Sequence, residues 1–160
     1  MKLTPDSRGG TSNLTGISHG NPADVGRRRL VLIADDETPI RMVVGEKLRS
    51  CGFEVMDAPD GEAALELALS RRPDLIVTDL QMPFMSGLDL ANKIADNAST
   101  RGVPIILLTA RGHVLDEPRL EATTIRHIMA KPFSARELVN VIESVLNESA
   151  AGAARLSNAA

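Results

Sequence analysis

A chain of 160 residues, 43% apolar and 24% charged, has the make-up of one soluble globular domain large enough to build a core without disulfides. A net charge of −3, with Arg27-Arg28-Arg29 as the only basic run and no aromatics interleaved, argues against direct nucleic-acid binding. No apolar stretch has the length of a membrane span or a signal-peptide core, and a single cysteine, Cys51, excludes an internal disulfide, so the expected location is the cytoplasm.

Residues 1–28 are rich in Gly, Ser, Thr, Asn and Pro without apolar periodicity and read as a disordered leader. Leu30–Ala34 is apolar throughout, as expected of a parallel strand covered on both faces. Residues 38–50 follow with a helical period, and Gly52 stands where a C′ glycine would. Phe53–Ala58 reads as a second strand and 60–71 as a second helix. Leu75–Thr78 is the third strand, then Ser86 and Asp89 have the spacing of an N-terminal cap for a helix over 87–96. Val103–Leu108 is the fourth strand. Pro118 is tolerated only in a first turn, so the next helix is expected late and short, near 117–123, with Asp116 as its cap. Ile125–Met129 is the fifth strand, and Ser134 with Glu137 caps a helix over 135–148. Residues 149–160 lack any pattern that could pack and read as a disordered tail, which leaves 29–148 as the domain.

Five strands each followed by a helix predict an α/β fold with a doubly wound, five-stranded parallel sheet and right-handed crossovers. In such sheets the functional crevice lies at the carboxyl ends of the strands. The residues that carry chemistry fall there: Asp35 and Asp36 after the first run, Asp79 after the third, Thr109 after the fourth and Lys131 after the fifth. Any one of them has an ordinary reading as a cap or a solvated loop residue; the joint pattern does not. Three crowded carboxylates repel, and a hard divalent cation such as Mg2+ resolves the conflict. A carboxylate beside Mg2+ can attack a phosphoryl group, with an ammonium and a hydroxyl compensating its charge.

In four places the sequence resembles the receiver domains of two-component response regulators, chemotaxis-type stand-alone receivers included. The matching segments are Leu32-Ile33-Ala34-Asp35-Asp36-Glu37, Asp79-Leu80-Gln81-Met82-Pro83-Phe84-Met85-Ser86-Gly87, Leu107-Leu108-Thr109-Ala110 and Lys131-Pro132-Phe133. The resemblance implies a flavodoxin-like (βα)5 fold with strand order 2-1-3-4-5. Asp79 would be the phosphoacceptor. Mg2+ would be held by Asp36 and Asp79, with Asp35 assisting and the Gln81 backbone carbonyl completing the ligands. Lys131 would pair with phosphoryl oxygens, the Lys131–Pro132 bond would be cis, and Thr109 would be the switch hydroxyl. The donor would be a phosphohistidine on a sensor histidine kinase or a histidine phosphotransfer protein. Output would run through an unidentified downstream protein partner, with no enzymatic activity beyond the chain's own phosphorylation and dephosphorylation. As only about a dozen residues follow the last helix, the expectation is a stand-alone receiver.

The chain departs from the family pattern at Ile128, where relatives carry Tyr or Phe, and in the fourth helix, where Thr123-Thr124 offers no closing glycine. Gln81 and Arg111 occupy positions that tend to tune phosphate lifetime in the family. Two other readings remain: a receiver-fold scaffold that binds its partner regardless of phosphorylation, and a Mg2+-dependent aspartyl-phosphate phosphohydrolase. The second lacks the Asp such enzymes place two residues after the nucleophile, where this chain has Gln81. A flavin-binding protein of the same architecture would want a phosphate loop where this chain has Asp35-Asp36-Glu37. His19, His113 and His127 make no ligand set, Met82 and Met85 belong to loop packing, and Cys51 is expected to be a buried or half-buried hydrophobe.

Overall fold

The computed structural model describes residues 26–110 and 120–157. In chain order it contains β1 (Leu30–Ala34), α1 (Thr38–Ser50), β2 (Glu54–Ala58), α2 (Gly61–Arg71), β3 (Leu75–Asp79), α3 (Gly87–Asp96), β4 (Ile105–Ala110), β5 (Ile125–Lys131) and α4 (Ala135–Ser157). The five strands are parallel and ordered β2-β1-β3-β4-β5, the doubly wound flavodoxin-like arrangement that the resemblance implied.

The apolar runs are explained by their place in the sheet. Every residue of β1 and β3 is buried, and both strands lie between two neighbours and two helical layers. On one face, Val31, Ile33, Val77, Ile106 and Leu108 pack against Val44 and Leu48 of α1 and Leu138, Ile142 and Val145 of α4. On the other, Leu32, Ala34, Ile76 and Ile105 meet Ala64 and Ala68 of α2 and Leu90, Ala91 and Ile94 of α3. With few aromatics available, aliphatic side chains fill both layers.

The caps form as the spacing predicts. Ser86 and Asp89 make a reciprocal capping box at the head of α3, and Ser134 and Glu137 exchange the same pair of bonds before α4. Gly52, with φ 94°, closes α1. Of the short helix expected near 117–123 only the end is described. Leu120 and Glu121 are helical, and Thr123 closes the turn with its backbone N–H and its hydroxyl, both donating to the Leu120 carbonyl. That bond replaces the missing glycine. The proposed leader up to residue 25, Asp116, Pro118, Arg111 and His113 lie outside the described residues.

Three expectations are corrected. The last helix does not end at 148 but continues to Ser157. The segment Ala150–Ala154 is alanine-rich with strong helical propensity, so it extends the helix although it is exposed. Cys51 is exposed, because it stands at the C-cap of α1, past the last turn that faces the sheet. The ladder of β4 and β5 also runs further than the apolar runs suggest. Thr109 pairs with Ala130 and Ala110 with Lys131, so both polar residues lie within strands.

Candidate functional site

Asp35 directly follows β1, and each of its polar groups is used. Its backbone N–H donates to the Ala58 carbonyl of β2 at 3.2 Å. Its Oδ1 accepts the Glu37 N–H at 2.8 Å, turning the chain into α1. Its Oδ2 accepts the Lys131 ammonium at 3.0 Å. Asp35 is fully buried, so these bonds replace the water it has lost. Asp36, the next residue, is exposed. Asp79 ends β3 in register with Leu108 and is likewise buried.

The topology brings these strand ends together. Asp35, Asp36 and Asp79 each offer a carboxylate oxygen within 4.8 Å of the others. Lys131, at the end of β5, reaches across with its Nζ 3.0 Å from Asp35, 3.2 Å from Glu37 and 3.5 Å from Asp79. Its peptide bond to Pro132 is cis.

Burial is the main cause that raises the Asp79 pKa above the ordinary carboxylate value, and the nearby Asp35 charge pushes the same way. The Lys131 charge and the Gln81 backbone N–H, which donates to the carboxylate, oppose the rise without cancelling it. For Lys131 burial works to lower the pKa. The hydrogen bond and charge of Asp35, with the charge of Asp79 and a bond to Glu37, outweigh it and raise the pKa.

An all-oxygen, multiply anionic donor set of this size suits a hard divalent cation such as Mg2+ and not a soft transition metal. The residues present therefore fit the metal. Gln81 lies at the site through its backbone N–H, two residues beyond Asp79. Thr109, on β4 next to β3, is buried, and its hydroxyl donates to the Ala110 carbonyl at 3.0 Å. Ile128 sits on β5 opposite Leu107, exposed to solvent.

The β3–α3 loop is held from below. Met82 is buried against the α2–α3 layer, and Met85 packs on the same cluster. The Gly87 N–H closes the loop onto the Leu80 carbonyl at 3.0 Å. At its tip Phe84 adopts φ 65° and stands 98% exposed. A Cβ on Gly87 would overlap the Asp79 carbonyl oxygen and come within 2.9 Å of Leu107 Cδ1. Gly87→Ala is therefore expected to destabilise the protein by about 1–3 kcal/mol and to displace the Asp79 backbone. Chemical denaturation and Mg2+ titration of the variant check both effects.

Two contributors escape a reading of the sequence. Glu37 appears there only as part of a motif, yet it is a direct partner of Lys131. Arg41, on the first turn of α1, bonds the Asp35 carbonyl and Asp57 of β2. The available signal was an arginine one helical turn after the acidic run, opposite an acidic residue near the end of β2.

Residues 31–143 match the family model described as the response regulator receiver domain. Among curated relatives, the transcriptional regulatory protein PdtaR of Mycobacterium tuberculosis is 42% identical over 123 residues, covering 76% of this chain and 58% of the relative. The phosphate regulon transcriptional regulatory protein PhoB of Pseudomonas aeruginosa is 34% identical over 126 residues, 78% of this chain and 54% of that protein. The chain thus spans a little over half the length of these relatives. The chemotaxis response regulator CheY4 of Vibrio cholerae superposes with a TM-score of 0.69 at 29% identity, covering 74% of this chain and 99% of that one. The receiver domain of the sensor histidine kinase PA1611 of Pseudomonas aeruginosa, solved with a magnesium ion coordinated in its active-site cleft, gives 0.67 at 28%, covering 75% and 98%.

Proposed function

The chain belongs to the response regulator receiver family, and from that premise we propose that Asp79 accepts a phosphoryl group from a phosphohistidine on a sensor kinase or phosphotransfer protein. The observation that carries this reading is the convergence, from three strand ends, of three carboxylates with oxygens within 4.8 Å of one another and of one lysine in ion-pair distance of Asp35 and Asp79.

An Asp79 oxygen forms the new P–O bond while the donor P–N bond breaks and its electron pair returns to the imidazole. Asp36 and Asp79, with Asp35 assisting and the Gln81 carbonyl, would hold Mg2+, which would supply charge neutralisation for the carboxylates and the incoming phosphoryl oxygens. The Lys131 ammonium, already aimed at Asp79, donates to one of those oxygens. The Thr109 hydroxyl gives up the Ala110 carbonyl and donates to another. Phosphorylation thereby biases the β4 end of the crevice, and a shift of about 1–3 kcal/mol between two conformations is enough to signal to a protein partner. The exposed Phe84 beside the crevice supports a protein donor or partner, since such a side chain gains by burial in an interface. Turnover is limited to the chain's own phosphorylation and dephosphorylation. The location is the cytoplasm, where a lone exposed cysteine stays reduced; among the described residues no helix is long and apolar enough to cross a membrane.

Incubation with acetyl phosphate, with and without Mg2+, tests the proposal by intact mass. The expected result is a Mg2+-dependent, base-labile gain of one phosphoryl group. Ile128 favours a second reading, a scaffold that binds regardless of phosphorylation, because an aliphatic side chain on β5 has no ring to follow Thr109. Intact Mg2+ binding with no phosphoryl gain from acetyl phosphate or from phosphorylated histidine kinases would favour the scaffold.

A further inference from the structure

Asp36 is the one carboxylate of the cluster whose side chain takes no hydrogen bond or ion pair among the described residues. Its aim is therefore set by the backbone, above all by the peptide that joins it to Asp35. The carbonyl of that peptide accepts a bond from Arg41 Nη1 at 2.6 Å. The same guanidinium donates from Nε to Asp57 Oδ2 at 3.3 Å and from Nη2 to Thr38 Oγ1 at 3.3 Å. Only 12% of the Arg41 side chain is exposed, and its bond to the Asp35 carbonyl is partly buried.

We infer that Arg41 is a positioning residue for the metal site: it clamps the Asp35–Asp36 peptide to β2 and α1 and so holds the Asp36 carboxylate toward Asp79. The planar fork matters as much as the charge. One guanidinium reaches a carbonyl, a carboxylate and a hydroxyl in three directions, which a single ammonium on a flexible stem does not reproduce. Asp57 is the other half of the clamp. It lies next to Ala58, whose carbonyl accepts the Asp35 N–H, so both sides of Asp35 are tied to the end of β2.

The sign of the effect separates this role from simple electrostatics. A cation close to an acidic site opposes binding of a second cation, so removing its charge alone would tighten Mg2+ binding. Loss of a clamp weakens it.

The inference rests on the metal reading above, and the wild-type arm of the test decides that reading first. The full chain, Arg41→Gln, Arg41→Lys and Asp57→Asn are titrated with MgCl2 at constant ionic strength by calorimetry. The thermal midpoint of each is measured without Mg2+. Both Arg41 variants are expected to bind Mg2+ about tenfold more weakly, as other supporting partners of metal ligands do. Asp57→Asn loses less, because the bond to the Asp35 carbonyl survives. The Mg2+-induced rise in thermal midpoint shrinks in the same order. Unchanged or tighter Mg2+ binding in Arg41→Gln and Arg41→Lys, whatever their midpoints, would overturn the inference. A wild-type chain that binds no Mg2+ would instead remove the metal reading itself, and this one with it. If Arg41→Gln does not fold, Arg41→Lys and Asp57→Asn still decide the matter.

Discussion

An Asp79→Asn protein incubated with acetyl phosphate and Mg2+ is expected to gain no phosphoryl group, and without Mg2+ to melt at a higher temperature than the wild-type chain. The first result follows because an amide nitrogen or oxygen forms no stable phosphoryl adduct there. The second follows from linkage. The pKa of Asp79 is raised in the folded state, chiefly by burial, so folding favours its neutral form. The penalty is fully present above the folded pKa and is relieved as pH falls through it. A neutral amide removes it at every pH. The wild-type midpoint without Mg2+ should therefore approach that of Asp79→Asn as pH falls from neutrality toward the Asp79 pKa. Scanning calorimetry across that range, paired with intact mass, reads both outcomes; a less stable Asp79→Asn at neutral pH would contradict the account.

Lys131→Met should have the opposite effect on stability and a comparable effect on chemistry. Lys131 is the only cation bonded to the carboxylates of Asp35, Glu37 and Asp79 among the described residues. Removing it leaves two buried carboxylates facing each other. The loss at neutral pH without Mg2+ is expected to be about 3 kcal/mol, the low end for breaking a buried pair, since the side chain is 18% exposed. Without the lysine charge, which lowers it, the Asp79 pKa rises further. The variant should therefore regain stability relative to wild type as pH falls. Mg2+ should rescue it as well, because the cation takes over the missing charge. Phosphorylation by acetyl phosphate is expected to slow by about 100-fold, the scale of losing one preorganised donor to the transferring group. Urea melts at two pH values, with and without Mg2+, together with the rate of mass gain, check these outcomes.

Much of this site can be read from the sequence because its parts follow from local signals. An uninterrupted apolar run such as Leu30–Ala34 or Leu75–Val77 has few other uses than a strand covered on both faces. In an open parallel sheet the residue after such a run faces the crevice. That pattern puts Asp35, Asp36, Asp79 and Lys131 at one end of the sheet; in the structure the three carboxylates lie within 4.8 Å of one another, and Lys131 pairs with Asp35 and Asp79. What stayed hidden depends on side chains meeting across elements. The Arg41–Asp57 pair joins α1 to β2, and no periodicity announces it. Glu37 reads as a helix-entry residue until the end of β5 is seen beside it. The exposure of Cys51 depends on which way α1 leaves its last turn. The run of α4 to Ser157 reflects propensity without burial, which a search for packing stripes passes over.

The bond from Lys131 to Asp35 joins residues 96 positions apart. It has a consequence for the protein as it is made. At about 5–20 residues per second, a ribosome exposes Asp35 and Asp79 several seconds before the lysine that completes their surroundings. A nascent chain carrying β1 to β4 has the proposed acceptor but lacks the Lys131 ammonium that pairs with it. On the proposed reading, full competence to accept a phosphoryl group would be conferred last, by the strand at the far edge of the sheet.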